Sequence, residues 1–266
     1  EEWETVEDLQ AYLEAFYHHC QLGEYETAFD VIWEGDDVDD FLTLRGNYQI
    51  QVELYQEYQE LVEGLATDQE DWRYPAALIS LGNAYNSLGR YQEAIAFHEQ
   101  SLAIERDIGN RGGEASSLNN LGSAYDSLGR YQEAIKFHKQ SLGITRDIGD
   151  RQGEASSLNN LGNASLSLGR YEEAITCYEQ SLAIYRDIGD RGGEASSLNN
   201  LGSVSLSLGR YKDAIKFHKQ SLAISRDIGN RGGEASSLGN LGNAYKFLGR
   251  YEEAITCHEK SLEIQR

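Results

Sequence analysis

The block Leu-Gly-x-x-x-x-x-Leu-Gly-Arg-Tyr begins at Leu81, Leu121, Leu161, Leu201 and Leu241, each 40 residues beyond the last. A period of roughly 20–50 residues marks an array of stacked units that share a continuous core. Each unit touches only its neighbours, and the array as a whole offers an extended binding surface. A binding scaffold is therefore expected ahead of a catalyst, and the repeats do not name its partner.

Within one period, Ala115 to Glu154, the apolar residues Leu118, Leu121, Tyr125 and Leu128 fall three or four apart, the stripe of an amphipathic helix. Gly129 and Arg130 break it. A second helix is predicted from about Tyr131, with Ala134, Ile135, His138, Leu142 and Ile144 on its buried side. It ends at Ile148-Gly149, where glycine closes a helix in the left-handed conformation. The polar segment Asp150-Arg151-Gln152-Gly153 then leads to the next unit. Gly122 and Ala134 are small where the two helices approach, a pairing repeated as Gly82/Ala94, Gly162/Ala174, Gly202/Ala214 and Gly242/Ala254. The single proline, Pro75, stands where the regular units begin and suits the first turn of a helix.

Charge is uneven. Residues 1–74 hold 21 acidic and 2 basic side chains against 23 and 21 in the rest, so −19 of the net −21 lies at one end. This argues against nucleic acid and anionic membranes as partners, because phosphate binding rests on clustered Lys and Arg. The acidic end reads either as a solvated, solubilising face or as a docking surface for a basic partner. No apolar run approaches the ~18 residues of a membrane span, and no basic-then-apolar signal opens the chain. Three cysteines make no disulfide framework; Cys177 and Cys257 share a repeat position with Phe97, Phe137 and Phe217 and read as small hydrophobes in a reducing compartment. The absence of Met, and an end inside the last repeat, suggest a segment of something longer, and a cytoplasmic location is expected.

The pattern Leu118, Leu121, Gly122, Tyr125 and Ala134 resembles the tetratricopeptide repeat. The likeness covers residues 75–266 as five units, the last truncated. The family's usual unit has 34 residues and ends in proline; the 40-residue form here is similar to kinesin light chains, Pins-like Leu-Gly-Asn adaptors and cyanobacterial arrays. The resemblance implies an all-α, right-handed superhelical solenoid of antiparallel helix hairpins, with residues 1–74 as a divergent helical cap. In that cap Leu22-Gly23-Glu24-Tyr25 and Ala28 imitate the repeat, Phe16 replaces the small glycine, and a further apolar helix runs from about Tyr48 to Leu65, so the region reads as one divergent hairpin plus a further helical pair. Such a cap is similar to the junction leading into the repeats of bacterial signal-transduction ATPases, although the chain has no Gly-x4-Gly-Lys-Ser/Thr loop.

An 80-residue period lies over the first. Units two and four share Ile-Lys-Phe-His-Lys-Gln at 135–140 and 215–220, with Ser at 123 and 203. Units three and five share Ile-Thr-Cys at 175–177 and 255–257, with Asn at 163 and 243. Duplication of a pair of units explains this.

Residues repeated in every unit are poor candidates for chemistry, since catalysis needs one constellation with matched pKa values. His98, His138, His218 and His258 share a position, but helices 8–10 Å apart do not let them converge on a metal needing ~2 Å bonds. They read as buried rings, with Tyr178 taking the same place in unit three. His18 and His19 face different directions. No enzyme activity, cofactor or metal is expected. The Asp-Arg and Glu-Arg alternation between hairpins reads as a solvated, weakly paired surface.

Asparagine is the exception. The resemblance implies that the first helix of each hairpin lines a concave groove, where this chain places Asn119, Asn120 and Ser123; Asn159, Asn160, Asn163 and Leu166; Asn199, Asn200, Ser203 and Leu206; then Asn240 and Asn243. An Asn amide both accepts and donates, so such a row suits the backbone of a peptide ligand; bridging of adjacent hairpins is the other reading. Ser165 and Ser205 replace the tyrosine found at 85, 125 and 245, and Leu166 and Leu206 follow them either as an exposed apolar spot or turned inward to refill the ring's space. The Lys and Arg with which family members grip chaperone C-termini are missing. The function expected is a protein- or peptide-binding scaffold, the interaction or sensor part of a larger intracellular protein. The alternative is an oligomerisation or autoinhibitory arm of a bacterial NTPase-type signalling protein, associating through its end faces.

Overall fold

The computed structural model describes residues 5–33, 38–65 and 71–265, apart from the side chains of 64–65. Part of the acidic run of the cap, at 34–37 and 66–70, lies outside them. Among the described residues a 3-10 turn, Val6–Leu9, leads into fourteen α-helices: α1 (Gln10–Leu22), α2 (Tyr25–Trp33), α3 (Val38–Leu44), α4 (Tyr48–Leu65), α5 (Arg73–Ser87), α6 (Tyr91–Asp107), α7 (Arg111–Ser127), α8 (Tyr131–Ile148), α9 (Arg151–Ser167), α10 (Tyr171–Ile188), α11 (Arg191–Ser207), α12 (Tyr211–Asp227), α13 (Arg231–Phe247) and α14 (Tyr251–Gln265). Backbone contacts divide the chain into two compact units, Glu1–Arg130 and Tyr131–Arg266.

In the first unit the acidic end forms two helix pairs, as its pattern suggests. α2 packs on both α3 and α4, and α4 carries the stack on to α5. Phe16, Phe29 and Tyr58 are fully buried there. Arg73, at the start of α5, reaches back to Asp30 of α2 at 3.2 Å. The hairpin α5–α6 and the first helix of the next, α7, complete this unit. The second unit holds α8 and the hairpins α9–α10, α11–α12 and α13–α14, and from α9 onward each helix packs on the one before.

The turns follow from a few residue choices. Gly129 and Gly149, which stop the two helices of a period, sit at φ 78° and 74°, where a side chain would be strained. The connection between hairpins is shorter than expected. α9 already begins at Arg151, because the Asp150 carboxylate accepts from the Gly153 N–H at 2.9 Å and caps the helix. Asn110, Asp190 and Asn230 do the same for Gly113, Gly193 and Gly233.

The glycines at the helix contacts face rings. A Cβ on Gly82 would lie 2.4 Å from the His98 imidazole, one on Gly162 2.5 Å from the Tyr178 ring, and one on Gly202 2.4 Å from the His218 imidazole. Ala94, Ala174 and Ala214, one helical turn before those rings, are fully buried. Each ring therefore fills the notch that its glycine leaves. Gly143 is the opposite case: it lies within α8 with nothing within 4 Å of a Cβ placed there. Gly202→Ala should therefore lower the unfolding free energy by about 1–3 kcal/mol through overpacking. Gly143→Ala should raise it by roughly 0.5–1 kcal/mol by relieving the helix of glycine's entropy. Urea titration of the two variants checks both signs.

Candidate functional site

The first helices of the second unit lie side by side, α9 meeting α11 and α11 meeting α13. Along them runs an amide ladder. Asn200 Nδ2 donates to Asn159 Oδ1 at 2.9 Å, and Asn240 Nδ2 to Asn199 Oδ1 at 3.2 Å. The rings in the glycine notches reach the same row: the Tyr178 hydroxyl donates to Asn163 Oδ1 at 2.8 Å, and His218 Nδ1 lies 2.8 Å from Asn199 Oδ1. Asn159, Asn160, Asn163, Asn199, Asn200 and Asn240 are half-buried and Asn243 is exposed. Ser203 Oγ donates to the Asn199 carbonyl. Among the described residues, no protein acceptor meets Nδ2 of Asn159, Asn163 or Asn199. In the first unit, α7 presents Asn119, Asn120 and Ser123, all half-buried, with Ser123 Oγ donating to the Asn119 carbonyl at 3.1 Å.

Leu166 and Leu206 are half-buried. Leu166 packs against the cluster of Ala174, Tyr178 and Leu198, and Leu206 against that of Ala214, Leu241 and Tyr245. Both thus turn substantially inward, beside Ser165 and Ser205, which are buried where other units hold the tyrosine.

Two sets of repeated polar residues have tasks that the sequence alone did not assign. Ser181 Oγ donates to the Ala155 carbonyl at 2.9 Å and meets Ser197 Oγ at 3.2 Å; Ser221 repeats this with Ala195 and Ser237. One buried hydroxyl of a second helix thereby ties together the first helices on either side of it. Strict recurrence of serine at buried positions was the available signal.

The second set corrects the reading of the connections as solvated surface. Glu114, Glu154 and Glu194 are buried, at 7–8% exposure. Each takes Arg106, Arg146 or Arg186 from the preceding helix at 2.8–2.9 Å, and Arg111, Arg151 or Arg191 from its own. At Glu114 burial raises the carboxyl pKa, but Arg106 and Arg111 together carry it below the usual value. Two guanidiniums per carboxylate clamp each hairpin connection.

Chemistry finds little purchase. The Cys20 thiol is pushed up to about 12 by burial, and Cys177 and Cys257 are also raised by burial, the reverse of an activated nucleophile. All three are free thiols. Among the described residues no group of three or more His, Cys, Asp or Glu could hold a metal, and no helix is long and apolar enough to cross a membrane.

The tetratricopeptide repeat model matches residues 74–147, 144–187, 153–227 and 193–266. The chain belongs to the tetratricopeptide repeat family, whose fold is typical of protein–protein interaction. It is an all-α solenoid of antiparallel hairpins. Its fold is similar to that of a Rap protein complexed with competence and sporulation factor, at 14% identity over 100% of this chain and 88% of the other, with a TM-score of 0.68. It is also similar to a signal-transduction ATPase with a tetratricopeptide repeat sensor from Pyrococcus horikoshii, at 21% identity and TM-score 0.67. That match covers 96% of this chain and 40% of the ATPase. A third likeness is to kinesin-light-chain-type repeats from Podosopora anserina, at 24% identity over 71% and 94% of the two chains, with TM-score 0.57. No match is found among curated proteins.

The repeated histidines respond to acid. Burial lowers His98, His138 and His218 to about 4 from the ordinary 6.5. His98 Nδ1 and His218 Nε2 are buried without a hydrogen-bond partner, so a proton added there meets no acceptor. The unfolded chain therefore takes up more protons than the folded one between about 4 and 6.5, and stability falls as pH drops through that window. At about 1.4 kcal/mol per pKa unit, each ring accounts for roughly 3 kcal/mol across it. Replacing all three with tyrosine, which Tyr178 shows the notch accepts, should flatten the pH dependence of the thermal midpoint between pH 7 and 4.5. An unchanged slope would contradict the assignment.

Proposed function

We propose that the chain binds an extended peptide segment along its first helices, as the interaction or sensor part of a larger cytoplasmic protein. The observation carrying this reading is the polarity of the amide ladder. Asn159, Asn163 and Asn199 use Oδ1 within the protein, so Nδ2 of each is oriented and remains for a ligand's carbonyls. Within the second unit Asn160, Asn200, Asn240, Asn243 and Ser203 extend the polar row, and α7 of the first unit carries Asn119, Asn120 and Ser123 at the equivalent repeat positions. Leu166 and Leu206 add the apolar surface they leave uncovered. Recognition of backbone by fixed amides favours a ligand in extended form, with specificity from the small-residue and leucine positions between them. The free thiols fit a reducing compartment. The resemblance in fold to a Rap protein complexed with competence and sporulation factor supports the same reading.

Asn159→Asp with Asn163→Asp tests it directly. The aspartates keep the acceptors that Asn200 and Tyr178 use and put a carboxylate oxygen, which repels a ligand carbonyl, in place of each outward donor. A peptide selected from a random display library on the 266-residue chain should bind the variant at least ~10-fold more weakly, two hydrogen bonds at about 0.5–1.5 kcal/mol each, while the thermal midpoint moves little. Undiminished affinity in the folded variant would overturn the reading.

A further inference from the structure

The second helices of the unit Tyr131–Arg266 alternate in charge along one exposed face. At positions i, i+4 and i+7, which share a helix face, α8 bears Gln132, Lys136 and Lys139, and α10 bears Glu172, Thr176 and Glu179. α12 then bears Lys212, Lys216 and Lys219, and α14 bears Glu252, Thr256 and Glu259. All twelve side chains are exposed. The two threonines donate to the carbonyls of Glu172 and Glu252 in their own helices, so the acidic helices offer no countercharge there. Among the described residues none of these lysines is in an ion pair; Lys219 rests over the Tyr245 ring at 5.8 Å. The successive bands are thus basic, acidic, basic and acidic, and their charges are not neutralised within the chain.

An even number of alternating bands has a symmetry consequence. Reversed, the order basic–acidic–basic–acidic becomes acidic–basic–acidic–basic, the complement of itself. A two-fold axis between α10 and α12 sets α10 against the α12 of a second copy and α12 against its α10, with α8 and α14 facing one another in the outer positions. Every basic band then meets an acidic one. A single-sign polymer is disfavoured, because each attractive band is flanked by a repulsive one. Two-fold contacts are self-complementary by construction, and charge complementarity is what fixes their register.

We propose that the outer face of α8, α10, α12 and α14 is an isologous docking surface for a second copy of this chain. The surface is separate from the asparagine row and does not depend on it. The same duplication that set Ile-Lys-Phe-His-Lys-Gln against Ile-Thr-Cys created the alternation.

The test is sedimentation velocity of the 266-residue chain from about 1 to about 200 µM at an ionic strength of ~0.1 M, where the Debye length is ~10 Å. The wild-type chain should show a concentration-dependent dimer. Lys212→Glu with Lys216→Glu and Lys219→Glu makes α10 and α12 both acidic; Glu172→Lys with Glu179→Lys makes both basic. Each variant alone should dimerise at least ~10-fold more weakly, because like charges now face each other. An equimolar mixture of the two should dimerise again, acidic bands of one against basic bands of the other. Circular dichroism checks that each is folded. Should reversal unfold the chain, Lys216→Gln with Lys219→Gln neutralises the band and should weaken the dimer in the same direction. A wild-type chain that stays monomeric, a dimer untouched by these variants, or a mixture that fails to reassociate would overturn the proposal.

Discussion

The stack depends on one close approach, that of a ring on α6, α10, α12 or α14 to a glycine on the first helix of the same hairpin. The His98, Tyr178 and His218 rings occupy space that a Cβ on Gly82, Gly162 or Gly202 would take. The notch fixes how near the two helices of a hairpin come. It also fixes the serine farther along the second helix, from which Ser181 and Ser221 reach the flanking first helices. Tyr178 and His218 extend the constraint to the asparagine row, because their polar ends hold Asn163 and Asn199. Core packing thus decides which way the amides point, and an orientation set from behind costs a ligand less entropy than a free side chain would.

Much of this could be read from the chain. The two helices of a period, their left-handed glycine stops and the burial of Ala134, Ile135, His138, Leu142 and Ile144 follow from spacing, and all are observed. So do the two helix pairs of the acidic end. Other features were not legible because they arise between elements. Glu154 looks solvated beside Arg151 in sequence, and only the return of Arg146 from the preceding helix makes it a buried, doubly paired group. Asp150 and Gly153 look like a loop until their hydrogen bond makes them the first turn of α9. The asparagines were legible as a row of residue types; the hydrogen bonds that engage Oδ1 of Asn159 and Asn199 were not, since they come from residues of the next hairpin.

The two halves of a hairpin carry different information. First helices repeat with little change, Asn-Asn-Leu-Gly at 119–122, 159–162 and 199–202, and the amide ladder needs that sameness, because each rung joins the first Asn of one pair, Asn159 or Asn199, to the second Asn position of the next hairpin, Asn200 or Asn240. Second helices alternate in units of 80 residues. There the alanine, serine and leucine at 134, 141 and 142 recur 40 residues on while the exposed positions change sign, as they are free to do where none of the α8 and α12 lysines is held in an ion pair among the described residues.

The central claim, that each hairpin is held by the ring-in-notch contact and by the next first helix packed over it, is tested most directly by native-state hydrogen exchange. On α14 the stripe that inner second helices bury lies open: Tyr251 is 65% exposed, Ile255 57% and Leu262 49%, and His258 is also exposed. Measured at a concentration low enough to keep the chain monomeric, the slowest amides should lie in α9 to α12, and α14 should exchange well before global unfolding. Uniform protection from α9 through Gln265 in the monomer would contradict the account.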